Sequence, residues 1–98
     1  MSSYTVLLAP RAEQDIREAI VWYRERNVFA AEAFRIELFA VIDGIAETPL
    51  TKAADDDGNR KRVLRRYPYS VIYDVAGNTV TVLAVAHNRR RPRYWAQN

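Results

Sequence analysis

Two amphipathic helical patterns stand almost back to back in the first half of the chain, and that adjacency limits the fold more than any other feature. Ala12, Ile16, Ala19, Ile20 and Tyr23 recur at spacings of three and four residues and so line one face of a helix. Pro10 opens the pattern. A proline is well placed there, because the N–H it lacks would be unpaired in a first turn. Glu13 and Asp15 follow, near the positive end of the helix dipole. Arg24 and Arg26 fall in the last turn, and Asn27 is a stop signal. The spacing predicts a helix over about 10–26. A second stripe, Ala30, Phe34, Leu38, Val41, Ile42 and Ile45, runs up to Pro49, with Arg35, Glu37, Asp43 and Glu47 largely off it. Only two or three residues separate the two patterns. A link that short makes an antiparallel helical hairpin.

Two apolar stripes need a common surface to bury them, and the remaining segments supply it. Tyr4-Thr5-Val6-Leu7-Leu8 is rich in β-formers and reads as a strand. Residues 50–59, with Asp55, Asp56, Asp57 and Gly58, read as a polar loop. Arg60–Arg66 is a basic strand candidate around Val63 and Leu64. In Tyr69–Val75, Tyr69, Val71, Tyr73 and Val75 face one way, and Ser70 and Asp74 the other. Ala76-Gly77-Asn78 is a hairpin turn. Thr79–Ala86 sets Val80, Val82, Ala84 and Ala86 against Thr79, Thr81, Leu83 and Val85. Its second half is apolar on both faces, as in a central strand.

The order β-α-α-β-β-β implies an α+β domain, with the helical hairpin packed on one face of a mainly antiparallel four-stranded sheet. If the first strand rises, the helices are expected to descend and then rise, and strands two and four to run opposite to strands one and three. No further helix remains for the far side of the sheet. That side is expected to be partly open and to carry function.

The 98 residues fit one domain over 1–98. The absence of cysteine excludes a disulfide framework, and with one histidine it leaves no credible transition-metal site. No glycine-rich phosphate loop is present, and no cofactor is expected. No apolar run approaches the roughly 18 residues of a membrane span. The N-terminus has no secretory pattern, so a cytoplasmic protein is expected. The net charge of +3 conceals an asymmetry. Residues 1–59 hold 6 basic and 11 acidic side chains, and residues 60–98 hold 9 basic and 1 acidic. Such a split points to a polyanion or an acidic partner for the second part.

Two basic clusters carry that excess. The first is Arg60-Lys61-Arg62-Val63-Leu64-Arg65-Arg66, which reads equally as a solvated edge strand or as a phosphate-binding surface. The second is His87-Asn88-Arg89-Arg90-Arg91-Pro92-Arg93-Tyr94-Trp95. There arginines provide charge for a phosphate backbone, and Tyr94 and Trp95 a stacking plane. The same aromatics could simply tuck the tail against the sheet, and the arginines could grip an acidic protein segment. The candidate partner-binding residues are Arg60, Arg62, Arg65, Arg89, Arg90, Arg91, Arg93, Tyr94 and Trp95. His87, at the end of an apolar strand, is either structural or a general base. With this residue set, any enzyme is restricted to proton transfer and charge stabilisation, such as RNA cleavage through the neighbouring 2′-OH.

The sequence resembles the RelE/ParE superfamily, toxins of bacterial type II toxin–antitoxin (plasmid stabilisation) modules, over nearly its whole length. The resemblance rests on Leu8-Ala9-Pro10-Arg11-Ala12-Glu13-Gln14-Asp15-Ile16, Ile20-Val21-Trp22-Tyr23, Ile45-Ala46-Glu47-Thr48-Pro49, Tyr67-Pro68-Tyr69-Ser70-Val71-Ile72-Tyr73 and Val82-Leu83-Ala84-Val85-Ala86-His87-Asn88-Arg89-Arg90. The long hairpin and the strand ending in Ala86-His87 look more like the ParE branch. That branch implies a growth-arresting toxin that inhibits DNA gyrase without chemistry of its own. It also implies a cognate antitoxin that wraps an acidic segment over the toxin in a hetero-oligomer. The RelE branch implies a ribosome-dependent mRNA endoribonuclease instead. Its pattern of several sheet lysines is incompletely met, since Lys61 is the only lysine in the basic half. Under that alternative Arg62, Arg65, His87, Arg90 and Tyr94 would be catalytic, with His87 or Glu47 as base. A plain nucleic-acid-binding module is a third reading.

Overall fold

Asn27 explains how two helices can follow each other with almost nothing between them. Helix α1 spans Pro10–Arg26 and helix α2 spans Val28–Glu47, so the link is a single residue, shorter than the spacing predicts. The Asn27 backbone N–H donates to the Tyr23 carbonyl and closes α1. Its side-chain oxygen accepts from the Phe29 and Ala30 amides at 2.8 and 3.2 Å and caps α2. One residue thereby satisfies groups at two helix ends. At the other end of α1, Pro10 occupies the first turn, as its fixed φ and missing N–H favour.

The computed structural model describes residues 4–89. Four strands, β1 (Thr5–Leu8), β2 (Arg60–Val63), β3 (Tyr69–Ala76) and β4 (Thr79–His87), form one sheet in the order β1-β4-β3-β2. The β3–β4 connection is the two-residue turn Gly77-Asn78, and Gly77 has the positive φ of 58° that such a turn needs. The helices pack on one face of the sheet. The core joins Phe34, Leu38 and Ile45 of α2 and Ala12, Ile16 and Ala19 of α1 to Val71, Tyr73, Val80, Val82 and Val85 of the sheet.

Two directional expectations need correction. β1 pairs with β4 in parallel, and only β2–β3 and β3–β4 are antiparallel, so β2 runs the same way as β1. The cause is the length of β1. It covers β4 only from Thr79 to Val82, and α1 continues upward over the half of β4 that β1 leaves bare. The Ala9 amide bonds the Val82 carbonyl, Asp15 reaches the Val85 amide, and Tyr23 lies 6.3 Å from Tyr69, the strand neighbour of His87. Helix α2 then descends. It ends where the Tyr73 hydroxyl donates to the Pro49 carbonyl, level with the start of β2, because Arg60 pairs with Tyr73.

The second correction concerns side-chain alternation in β4. The register shifts between Ile72 and Tyr73: Ile72 faces Ala84, Tyr73 faces Val82, and Leu83 is left as an extra residue. A β-bulge of this kind reverses the side-chain parity beyond it. Val80 and Val82 face the helices before it and Val85 after it, whereas Ala84 and Ala86 turn to the far side with Ile72. The far side, expected to lie open, is buried at Ser70, Ile72, Ala84 and Ala86.

Candidate functional site

The basic residues of β2 divide by where their side chains go. Arg62 lies beside the C-terminal end of α2, where carbonyls carry the negative end of the helix dipole. Its guanidinium donates to the Thr48 carbonyl at 2.6 Å and the Thr48 hydroxyl at 3.1 Å. Arg60 donates to the Lys52 carbonyl and ties down the loop after α2. Both guanidiniums therefore hold the α2–β2 connection, although the sequence offered them as partner contacts.

Arg65 and Arg66 are arranged differently. Just after β2 the chain turns, and the amides of both residues donate to one carboxylate oxygen of Glu37 on α2, Arg66 at 3.1 Å. Backbone donors thus engage one oxygen of Glu37, the only acid among the described residues that line the cleft here. That cleft, of about 550 Å³, is bounded by Ala33, Ile36, Glu37, Arg65 and Arg66. Among the described residues, neither guanidinium forms an ion pair or a hydrogen bond.

His87 sits in a second cleft, of about 530 Å³, between α1 and the upper ends of β3 and β4. Asp15, Glu18, Ala19, Trp22, Tyr23, Pro68, Tyr69, Val85, His87 and Arg89 line it. Packing builds its walls. The Tyr69 and His87 rings meet edge to face at 5.1 Å, Trp22 meets Tyr23 at 5.0 Å, and Tyr23 continues to Phe34 and Tyr67. Burial, then the neighbouring Tyr69 and Tyr67 hydroxyls, push the Tyr23 phenol above its ordinary pKa. The Arg26 guanidinium covers Trp22, 3.6 Å from the ring centroid. His87 Nδ1 accepts the Arg89 backbone N–H at 3.1 Å. An amide can only donate, so the hydrogen of the neutral ring is on Nε2. Asn88 is fixed as well, its amide bonded to the Pro68 carbonyl and its side-chain oxygen to the Ser70 hydroxyl.

Of the described residues named under the endoribonuclease reading, only His87 lines this cleft. Arg62 is at the foot of α2, Arg65 at the Glu37 turn, and Glu47 at the end of α2. Arg90, Arg91, Arg93, Tyr94 and Trp95 lie outside the described residues. Sequence reasoning placed no role on Asp15 beyond the helix dipole. Its side chain is only 4% exposed, and its carboxylate accepts the Val85 amide at 3.0 Å. The signal was available: position 15 falls on the buried face, three residues after Ala12 and four before Ala19. Glu37 had no such signal, because its partners are 28 and 29 residues away.

The family model for the ParE toxin of type II toxin-antitoxin systems, parDE, matches residues 6–92. The chain belongs to the ParE toxin family. Among solved structures, one described as a chromosomal ParDE toxin–antitoxin system from P. aeruginosa superposes with a TM-score of 0.77 at 15% identity, over 87% of this chain and 96% of that one. At that identity the likeness shows the fold, and it shares the two helices and the four-stranded mixed sheet. A comparison with curated proteins returns no match. No helix among the described residues is long and apolar enough to cross a membrane.

Proposed function

We propose that this chain is a cytoplasmic ParE toxin that arrests growth by inhibiting DNA gyrase and is neutralised by an acidic segment of a cognate antitoxin. The family match over residues 6–92 carries the reading. The charge distribution supports the antitoxin half of it, since residues 60–98 hold nine basic side chains against one acid. The geometry around His87 supports inhibition without bond-making chemistry. A general base needs a free lone pair facing its substrate, and the Nδ1 lone pair already accepts the Arg89 amide. The cleft also holds neither Arg62 nor Arg65.

Inducible expression in a bacterial host tests the proposal. Growth should stop, a DNA-damage response should appear, and translated mRNA should stay intact. Rapid cleavage of translated mRNA without a damage response overturns the gyrase reading in favour of an endoribonuclease. Absence of any growth effect overturns both.

A further inference from the structure

The solvent face of α1 carries the same dipeptide twice. Arg17-Glu18 and Arg24-Glu25 are seven residues apart, and Val21 stands midway between Arg17 and Glu25 and midway between Glu18 and Arg24. Seven residues are almost two helical turns, so all five lie on one side of the helix, opposite the buried Ala12, Ile16 and Ala19. All five are exposed, Val21 by 49%. Val28, seven residues beyond Val21, extends the stripe and is 64% exposed.

These charges do little within their own helix. Opposite charges three or four places apart support a helix, yet neither Arg24 nor Glu25 has an opposite charge at those spacings. Among the described residues Arg17 and Arg24 form no ion pair. Glu18 accepts the neutral Gln14 amide at 2.9 Å, and Glu25 lies 3.9 Å from the Arg26 guanidinium. A carboxylate has room for further donors. The order of signs, however, inverts about Val21. Arg17 lies four places before it and Glu25 four after, and Glu18 lies three before and Arg24 three after. A two-fold axis through Val21, perpendicular to the helix, therefore brings every charge of this face onto its opposite.

We propose that this face of α1 pairs antiparallel with the same face of a second copy of this chain. The two Val21 side chains meet on the axis. Arg17 and Arg24 of each copy face Glu25 and Glu18 of the other, making four ion pairs. A parallel pairing would set arginine on arginine and glutamate on glutamate, so the charges select the antiparallel one. Alternating signs suit a self-complementary partner, whereas a polyanion would meet Glu18 and Glu25 along with the arginines. Helix α1 has 17 residues, so it is about 25 Å long and about 10 Å across. A face of that size is smaller than the about 800 Å² per partner of a standard interface. The dimer therefore forms reversibly as concentration rises, and mass action adds to the stability of a small domain. The inference needs neither gyrase nor an antitoxin and stands apart from the proposed function.

Sedimentation of the full chain over a range of concentrations tests it, with circular dichroism to confirm that each variant is folded. Wild type should show a reversible monomer–dimer equilibrium that weakens with added salt. Arg17→Glu alone, or Glu25→Arg alone, turns two of the four contacts repulsive. Each should weaken self-association at least about tenfold, since an exposed pair contributes up to about fivefold. Mixing the two variants should restore association, because the acids of one then meet the bases of the other. A single chain carrying both substitutions should dimerise like wild type. Val21→Glu, which puts two acids on the axis, should leave the chain monomeric. A wild-type chain that is monomeric at every concentration overturns the proposal. So do single variants that dimerise undiminished, which places any dimer on another face, and a mixture that associates no better than its components.

Discussion

Replacing Asp15 by alanine should unfold much of this domain's margin of stability, and the size of the effect can be worked out from its surroundings. β1 stops opposite Val82, so among the described residues the β4 amides beyond that point have no strand on that side. Val85 is one of them, it is buried, and the Asp15 carboxylate at 3.0 Å takes the place of the missing strand. Asp15→Ala leaves a buried donor without its charged acceptor, at a cost of about 2–3 kcal/mol. A domain of this size has about 5–15 kcal/mol in total, so the loss is roughly an eighth to three fifths of it. The melting temperature should fall by about 8–24 °C, at 4–8 °C per kcal/mol. Asp15→Asn retains a carbonyl acceptor and should lose only about 1 kcal/mol, the worth of a neutral hydrogen bond. Urea unfolding followed by circular dichroism measures both, with an unchanged m-value showing that only stability moved. Hydrogen exchange at the Val85 amide should accelerate in the alanine variant more than global unfolding requires. An alanine variant within about 0.5 kcal/mol of wild type, the range of an ordinary surface substitution, would refute the argument. Equal losses for alanine and asparagine would refute it too.

Further outcomes follow from other contacts. Asn27→Ala removes the side-chain cap of α2 and should cost about 1 kcal/mol in the same urea experiment, with Asn27→Asp close to wild type. Phe34 is fully buried among Tyr23, Tyr67 and Tyr69, so Phe34→Ala should cost about 3–5 kcal/mol and lower the urea midpoint more than either Asp15 or Asn27 substitution. The Tyr23 pKa is raised in the folded chain by burial and by its tyrosine neighbours. Its contribution is therefore fully present below the unfolded value of about 10 and is lost as the pH rises through the higher folded value. Denaturant midpoints measured across that range should decline less steeply for Tyr23→Phe than for wild type.

What could be read from the sequence depended on how far apart the interacting residues lie. The α1 limits follow from Pro10 and Asn27, because capping is decided within one turn. The β3–β4 hairpin follows from Gly77-Asn78 and the alternation before it for the same reason. The reversal of parity in β4 was hidden because Val82-Leu83-Ala84-Val85 is apolar throughout, and an apolar run does not reveal which residue is the extra one. The strand directions were misjudged because they depend on the shortness of β1, which leaves α1 a strip of β4 to cover. The basic residues of β2 could be counted but not assigned. Arg60 and Arg62 are spent on carbonyls at Lys52 and Thr48, whereas Arg65 and Arg66 are spared by Glu37. Those are tertiary facts that no local pattern records. The family resemblance was readable nonetheless, since it is carried by segments spread from Leu8 to Arg90, and the family match covers the same span.

DNA supercoiling by purified gyrase, measured with increasing amounts of this chain and then with its antitoxin added, tests the central claim most directly. The account predicts that supercoiling is lost as the chain is added and restored by the antitoxin. Gyrase that supercoils DNA undiminished at saturating chain would contradict it.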